Sequence, residues 1–307
     1  MNSKASALAC PLPSAAPGSA GEITIEALSL DQHWAALEHL LKIEEWPFIR
    51  ADLEVSHAQD RAFGLVARRN GEIKGFFTAH NFDDIVYLDL MVVEKSERTN
   101  VAMAAELWRC ARQEIAKHGF RAQVAHCTND SAPLLRLFGF TTSSSFTLVR
   151  REVLGAQRHA APLAFLDHTA LADLVELDAQ VFGVRRESWI SHLLGQPSTR
   201  FVGRYEAGHL TASVCLRTRR DNSLCIDAAN SHDFQALVGL LDTVFAGLPD
   251  SRFECFVKTD SALHQYFLGN GFVVPEFFTP IGPLDELRLG AEHQVGSAAN
   301  VYALAWL

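Results

Sequence analysis

No apolar run in this chain approaches the ~20 residues that a membrane-spanning helix needs. Nor is there an excess of positive charge: 27 Lys+Arg stand against 36 Asp+Glu, a formal net charge of −9. The deficit is shared, with 16 basic against 19 acidic residues in 1–153 and 11 against 17 in 154–307. Nucleic-acid binding rests on a cationic surface, so the balance argues against such a partner and suits a cationic or amine substrate better than a polyanion. The six cysteines (Cys10, Cys110, Cys127, Cys215, Cys225 and Cys255) form no C-x-x-C pair. That spacing argues against a zinc site, and no metal is expected; it also argues against a dense disulfide framework and fits a reducing cytoplasm. Lys4 and the Ala-Leu-Ala-Cys run at 7–10 faintly resemble a lipoprotein signal, but the apolar stretch is short and is soon interrupted by Pro11, Pro13 and Pro17. Export is therefore not expected, and residues 1–21, rich in Ala, Ser, Pro and Gly, read as a disordered tail.

What is present reads as an ordinary globular protein, 48% hydrophobic and 21% charged. Its 307 residues favour two domains at roughly 100–200 residues each. Residues 22–30 alternate like a strand, and Asp31 can cap a helix carrying Trp34, Leu37, Leu40 and Leu41 on one face. Strands follow at 61–69 and 72–80, joined by the turn Asn70-Gly71, and then at 85–93. A helix with Ala104, Leu107, Trp108, Ala111 and Ile115 at helical spacing stops at Gly119. A strand at 120–127, a short helix capped by Asn129 or Asp130 and ending at Gly139, and a last strand at 146–151 complete one domain.

The same order then restarts. Helices at 168–180 and 186–194 precede a hairpin over 200–217 around Glu206-Ala207-Gly208, then a strand at 223–228. Next come a helix over 232–246 (capped by Asn230 or Ser231), a strand at 252–258, a short helix at 261–269 before Gly271-Phe272, and a closing strand at 301–307. Repetition at a period of roughly 140 residues predicts two diverged copies of one fold. The expected layout is a first domain at 22–153, a linker at 154–165 and a second domain at 166–307. The fold class is α/β (α+β), each copy a mixed, mostly antiparallel sheet flanked by helices.

Residues 129–140 (N-D-S-A-P-L-L-R-L-F-G-F) resemble the N-x-x-A-x-x-(L/Y)-x-x-x-G-F signature of the GNAT superfamily of acyl-CoA-dependent N-acetyltransferases. The second copy, with L-D-A-Q-V-F-G-V-R-R-E-S-W-I at 177–190, Gly271-Phe272 and V-Y-A-L-A at 301–305, resembles the C-terminal GNAT-like domain of tandem acetyltransferases. The resemblance implies an acetyl-CoA site in the first domain: the strand end Met91, Val92 and Val93, the following loop, and Asn129 and Leu135 of the signature. In the family this loop reads Q/R-x-x-G-x-G/A and offers backbone N–H groups at a helix N-terminus to the pyrophosphate. Here it falls within Glu97–Ala104, and in every register both glycines are missing: Arg98, Thr99, Asn100, Val101, Ala102, Met103 and Ala104 occupy the stretch. Arg98 could compensate by pairing with a phosphate. The matching stretch of the second copy, C-I-D-A-A-N-S-H-D-F at 225–234, has no such pattern, so that half is expected to shape a cleft or an interface.

Acyl transfer to an amine needs a group that takes the ammonium proton and often an acid for the leaving thiolate. The tyrosine that serves as this acid in many relatives is replaced by Leu135 and, in the second copy, by Phe267. Asp89, inside an apolar strand where the resemblance implies an acidic residue facing the acceptor, is the candidate base; a carboxylate there is costly unless paired or facing a cleft. Tyr87 shares its face and could bind substrate or act as an acid, or simply pack. Trp46, Asp83, Asp84 and Arg186 are candidate substrate contacts, with an interdomain ion pair the alternative for Arg186. His126 and Cys127, as strand neighbours, point to opposite faces, which argues against a nucleophilic pair. The sequence thus predicts acyl transfer, with acetyl the expected group, from acetyl-CoA to a small-molecule amine by direct attack, in a monomer or homodimer. The competing reading is a sensor that keeps the fold without the chemistry.

Overall fold

The structure, a computed structural model, describes residues 21–44, 46, 48–82, 85–98, 101–120, 122–127, 141–142, 146–152, 163–275 and 282–285. The chain divides into two compact units, residues 1–121 and 122–307.

In the first unit, β1 (Ile23–Ala27), β2 (Phe63–Arg69), β3 (Glu72–Phe82) and β4 (Ile85–Val93) lie side by side in that order, all antiparallel. Asn70 and Gly71 adopt φ of 54° and 84°, the left-handed pair that a tight β2–β3 hairpin requires. Between β1 and β2 come α1 (Leu30–Ile43) and α2 (Arg50–His57); α3 (Ala102–His118) follows β4 and stops at Gly119, φ 64°. The start of α1 departs from expectation. Its cap position is Ser29, Asp31 sits one residue inside the helix, and no side-chain oxygen caps it; the Ser29 N–H donates to His33 Nδ1 at 3.1 Å. The helix α2 has no counterpart in the sequence-based expectation. Its eight residues carry few apolar side chains, and it is fixed by Asp52, whose carboxylate accepts from the Ile49 N–H at 2.7 Å. The core of this unit is Leu37, Leu40, Leu41, Phe76, Phe77, Met103 and Leu107, each at most 1% exposed.

The second unit contains β5 (Ala122–Cys127), β6 (Thr141–Thr142), β7 (Phe146–Arg151), β8 (Phe165–Leu166), α4 (Leu171–Phe182), α5 (Glu187–Leu194), β9 (Thr199–Glu206), β10 (His209–Thr218), β11 (Leu224–Ser231), α6 (Phe234–Gly247), β12 (Phe253–Lys258), α7 (Ala262–Gly269) and β13 (Gly282–Asp285). Six of these strands form one sheet in the order β7-β12-β11-β10-β9-β8, antiparallel except for β11 beside β12. Leu237, Leu241, Val244, Phe253, Cys255 and Phe267 of α6, β12 and α7 are fully buried on it.

The sequence places 146–151 as the last strand of the first domain, yet β7 pairs antiparallel with β12 over six residues, from Phe146↔Lys258 to Arg151↔Phe253. Likewise β13, near the end of the chain, pairs with β5 and β6. The repeat counts residues along the chain, whereas pairings cross it: β7 lies in the six-stranded sheet, and β13 joins β5 and β6. The expected strand at 301–307 lies outside the described residues.

This exchange has a measurable consequence. A fragment beginning at residue 156 would lack β7 and leave the backbone of β12 as an open apolar edge, with Phe253, Cys255 and Val257 at 0% exposure in the whole chain. Such a fragment is expected to aggregate or elute as a broad oligomer in size-exclusion chromatography, while the whole chain elutes as a single sharp peak; a fragment eluting as sharply as the whole chain would refute the role of β7.

Candidate functional site

Asp89 owes its place to a β-bulge. Thr78 pairs with Leu90 and Ala79 with Leu88, so the β3–β4 register skips Asp89. A methyl group added to Gly75 would meet Met103 and Leu107 of α3, so alternation puts Thr78 and His80 on the opposite face of β3. There the Asp89 carboxylate, 3% exposed, accepts a 2.5 Å hydrogen bond from Nδ1 of His80, which is 0% exposed. Tyr87, directly opposite His80 in the ladder, stacks on the imidazole with centroids 5.4 Å apart and planes 11° off parallel. Phe82 meets the same ring edge-on at 4.7 Å. Two buried polar atoms of this pair, His80 Nε2 and Asp89 Oδ2, have no hydrogen-bond partner among the described residues. Buried polar atoms are nearly always satisfied, so such a pair marks where a ligand or water belongs.

A third titratable group lies close by. His57, at the end of α2, has its Nδ1 held by the Leu53 carbonyl at 3.1 Å, and a methyl on Gly64 of β2 would come within 3.0 Å of its Nε2. Burial holds its pKa below the ordinary 6.5; the nearby Asp89 carboxylate pulls it upward and His80 downward, and burial wins.

The β4–α3 connection, residues 94–101, leads to a helix start at Val101 that no side chain among the described residues caps. Arg98 spans its entrance: Nε donates to the Val93 carbonyl at 2.8 Å and Nη2 to the Glu44 carboxylate, with the side chain still 48% exposed. Met103 and Ala104 are buried in the helix packing, Val92 and Val93 are buried at the strand end, and Val101 is exposed.

The second unit repeats this geometry with different chemistry. Cys215 pairs with Ala228 and Leu216 with Ile226, so the β10–β11 register skips Asp227 just as β3–β4 skips Asp89. Arg217 stands where His80 does, two residues past the bulge, and forms a buried ion pair with Asp227; Arg219 adds a second contact at 3.1 Å. The helix after this strand also differs. Asp233 caps α6, its carboxylate accepting from the Gln235 N–H at 3.0 Å, and its own N–H donates to Ser231 Oγ. The expected caps, Asn230 and Ser231, are still strand residues: β11 runs longer than the sequence suggests, and Asn230 donates to Asp178 at 2.9 Å.

Arg186, the expected substrate contact or interdomain ion pair, has its carboxylate partner within the second unit. It is 4% exposed, forms a two-pronged pair with Asp178 of α4 at 2.9 and 2.5 Å, and lies over the rings of Phe182 and Trp189. Two apolar rings and a saturating carboxylate within its own unit leave it a packing role. Trp46 stacks on Phe48 at 5.7 Å. Asp83, Asp84, Thr99, Asn100, Asn129 and Leu135 lie outside the described residues, as do the side chains of His126 and Cys127. The structure thus brings together Asp89 and Tyr87, the two candidate catalytic residues, and adds His80 and His57. A His nine residues before the Asp, across a hairpin, was the available signal for His80; nothing in a short polar helix announced His57.

No family model matches this sequence and no curated protein matches it. Solved structures do resemble the fold. A candidate acetyltransferase from Pyrococcus horikoshii aligns over 96% of this chain and 98% of its own at a TM-score of 0.72 with 13% identity. A tandem GNAT protein from the clavulanic acid biosynthesis pathway aligns over 88% and 100% (TM-score 0.61, 16% identity). A GCN5-related N-acetyltransferase from Sphaerobacter thermophilus aligns over 86% and 96% (TM-score 0.59, 12% identity). The chain has the GNAT fold, as two tandem GNAT-like domains.

Because folding holds the His57 pKa below 6.5, the unfolded chain binds more protons on acidification. The stability tied to neutral His57 is fully present above pH 6.5 and is lost as pH falls through its folded pKa. His57→Gln is expected to flatten the loss of stability between about pH 7 and 5 measured by denaturant unfolding; an unchanged pH slope would show that His57 has the same pKa folded and unfolded.

Proposed function

We propose that the first unit is an acyl-CoA-dependent N-acyltransferase that uses acetyl-CoA as co-substrate and a small amine as acceptor, and that the second unit binds no CoA. The observation that carries this reading is the contrast between the two helix starts. Val101, the N-cap residue of α3, makes no side-chain cap, whereas α6 is already capped by the Asp233 carboxylate. An anion at a helix N-terminus is stabilised by exposed N–H groups and the helix dipole. At α6 a pyrophosphate would have to displace a resident carboxylate, which is the ground for placing CoA in the first unit. The residues that would hold CoA are therefore Val101, Ala102, Met103 and Ala104 through their backbone, together with Thr99 and Asn100 of the loop. Arg98 has five N–H donors, so it can reach a phosphate without giving up Glu44. Met91, Val92 and Val93 would flank the cofactor's arm, and Asn129 and Leu135 would follow the family's signature. The missing glycines crowd the approach without removing the donors.

When bound, acetyl-CoA supplies an activated acyl group whose C–S bond breaks as the amine nitrogen forms its C–N bond. The chain's own task is proton removal from the acceptor ammonium, and the Asp89–His80 pair is the buried basic site available for it. Tyr87 orients the imidazole by stacking, and Trp46, Asp83 and Asp84 are retained as candidate acceptor contacts. The acidic balance of the chain, −9, favours a cationic acceptor. No helix among the described residues is long and apolar enough to cross a membrane; a cytoplasmic location and a monomer or homodimer complete the reading.

Calorimetric titration of the whole chain with acetyl-CoA is expected to give one site per chain. Ala102→Glu, which adds a negative charge at the α3 start, should weaken binding at least tenfold, while Asp233→Asn in α6 should leave it within twofold. Two sites per chain, or sensitivity to Asp233 alone, would overturn the assignment. Binding without transfer to any member of an amine panel would favour a sensor.

A further inference from the structure

Resting on that reading of the first unit, we propose that His80 Nε2 is the atom that takes the acceptor's proton and that Asp89 is a positioning residue for it, the two forming an Asp–His dyad generated by the β4 bulge. The orientation follows from hydrogen-bond chemistry. An ionised carboxylate can only accept, so the 2.5 Å contact between Asp89 Oδ1 and His80 Nδ1 requires the proton on Nδ1. The neutral imidazole then presents a lone pair at Nε2, and that atom is buried with no partner among the described residues. Asp89 already spends one oxygen on His80 and sits in the unpaired position of the ladder, whereas the imidazole is held by its carboxylate, the Tyr87 face and the Phe82 edge.

At rest the pair is carboxylate and neutral imidazole, and after the transfer carboxylate and imidazolium, the cationic ring lying against the Tyr87 face. In the transfer itself the acceptor R–NH3+ gives one proton to His80 Nε2, the amine nitrogen bonds to the acyl carbon as C–S breaks, and the nitrogen's second proton goes to the departing thiolate. His80 then returns its proton to solvent, and the pair is restored.

The second unit supplies an internal contrast. The same bulge presents Asp227, but Arg217 replaces His80. A guanidinium stays protonated at any pH the protein survives, so that pair has no lone pair to offer and cannot take a proton. One unit therefore keeps a titratable dyad and the other a fixed ion pair at the same structural position.

The test is long-range proton–nitrogen NMR of the full chain at neutral pH, with ring nitrogens assigned by His80→Gln. The wild type is expected to show the Nδ1–H tautomer at His80, and Asp89→Asn, which offers an N–H in place of a carboxylate oxygen, to switch it to Nε2–H, as in the equivalent change in the Ser-His-Asp triad. With acetyl-CoA and the amine panel, both His80→Gln and Asp89→Asn should lower kcat by ~10²–10⁴-fold, the range for loss of a general base, with the KM for acetyl-CoA within threefold. An Nε2–H tautomer in the wild type, an Asp89→Asn spectrum unchanged at His80, or full turnover in His80→Gln would each overturn the dyad. Circular dichroism of both variants separates these outcomes from misfolding, and if Asp89→Asn is unfolded, Asp89→Glu, which keeps the carboxylate, must preserve the tautomer. Failure of the CoA reading would instead appear as absence of acetyl-CoA binding by the wild type, whatever the tautomer.

Discussion

Burying a carboxylate inside an apolar strand is the constraint around which the first unit is organised. An ionised Asp89 within I-V-Y-L-D-L-M-V-V would be prohibitively costly without a partner. The bulge opposite Thr78 and Ala79 is what removes Asp89 from the regular ladder and leaves its side chain beside β3. His80 then follows by register, Tyr87 by cross-strand opposition, and the end of α2 by its packing near both. Moving the register by one residue would send every one of these side chains to the other face of the sheet. The same displacement that makes the site possible makes it intolerant of slippage, and the apolar residues on either side of Asp89, at most 7% exposed, hold the register.

The second unit solves the same constraint by other means. Asp227 sits in the matching bulge and is answered by two arginines, Arg217 and Arg219, while Arg186 and Asp178 form a further buried pair joined by Asn230. Breaking one such buried pair costs about 3–5 kcal/mol because the remaining charge is stranded. A histidine pairs less permanently and can change charge, which is useless for holding a structure together and necessary for moving a proton. Likewise the α6 start carries its own anion in Asp233. The two copies thus answer the same bulge carboxylate differently, one with a histidine and the other with two arginines.

Much of this is legible in the chain. Turn residues with a strict conformational demand announce themselves: Asn70-Gly71, Gly119 and Ala207-Gly208 all adopt positive φ where the sequence places turns or helix stops. Asp89 stands out because its burial needs an explanation at sequence level alone. The features that stay hidden depend on distance in space. The exchange of β7 into the second sheet leaves no local signature, since an edge strand reads the same whichever sheet it joins. Arg186 resembles a substrate contact because arginine usually seeks solvent or an anion; its partner Asp178 lies two helical turns back, and only the fold brings the two within 2.5 Å. The cap of α6 falls two or three residues beyond the position the sequence suggests because Asn230, Ser231 and Asp233 are all good caps, and the length of β11 decides among them.

The division of labour between the copies bears on how much of the familiar acetyltransferase pattern a working site needs. By the resemblance, both glycines are missing from the loop before α3 and Leu135 stands where many relatives have a tyrosine, departures that read in isolation as decay. Buried atoms without a hydrogen-bond partner among the described residues occur at both bulges: His80 Nε2 and Asp89 Oδ2 in the first unit, Asp227 Oδ2 in the second. What separates the copies is the chemistry beside the carboxylate, a histidine in one and two arginines in the other. Each such buried atom carries a desolvation cost of about 1–3 kcal/mol in a protein whose whole stability is of order 5–15 kcal/mol. Strain of that kind persists at sites where something binds or reacts, and of the two bulges the one with a histidine is able to pass a proton on.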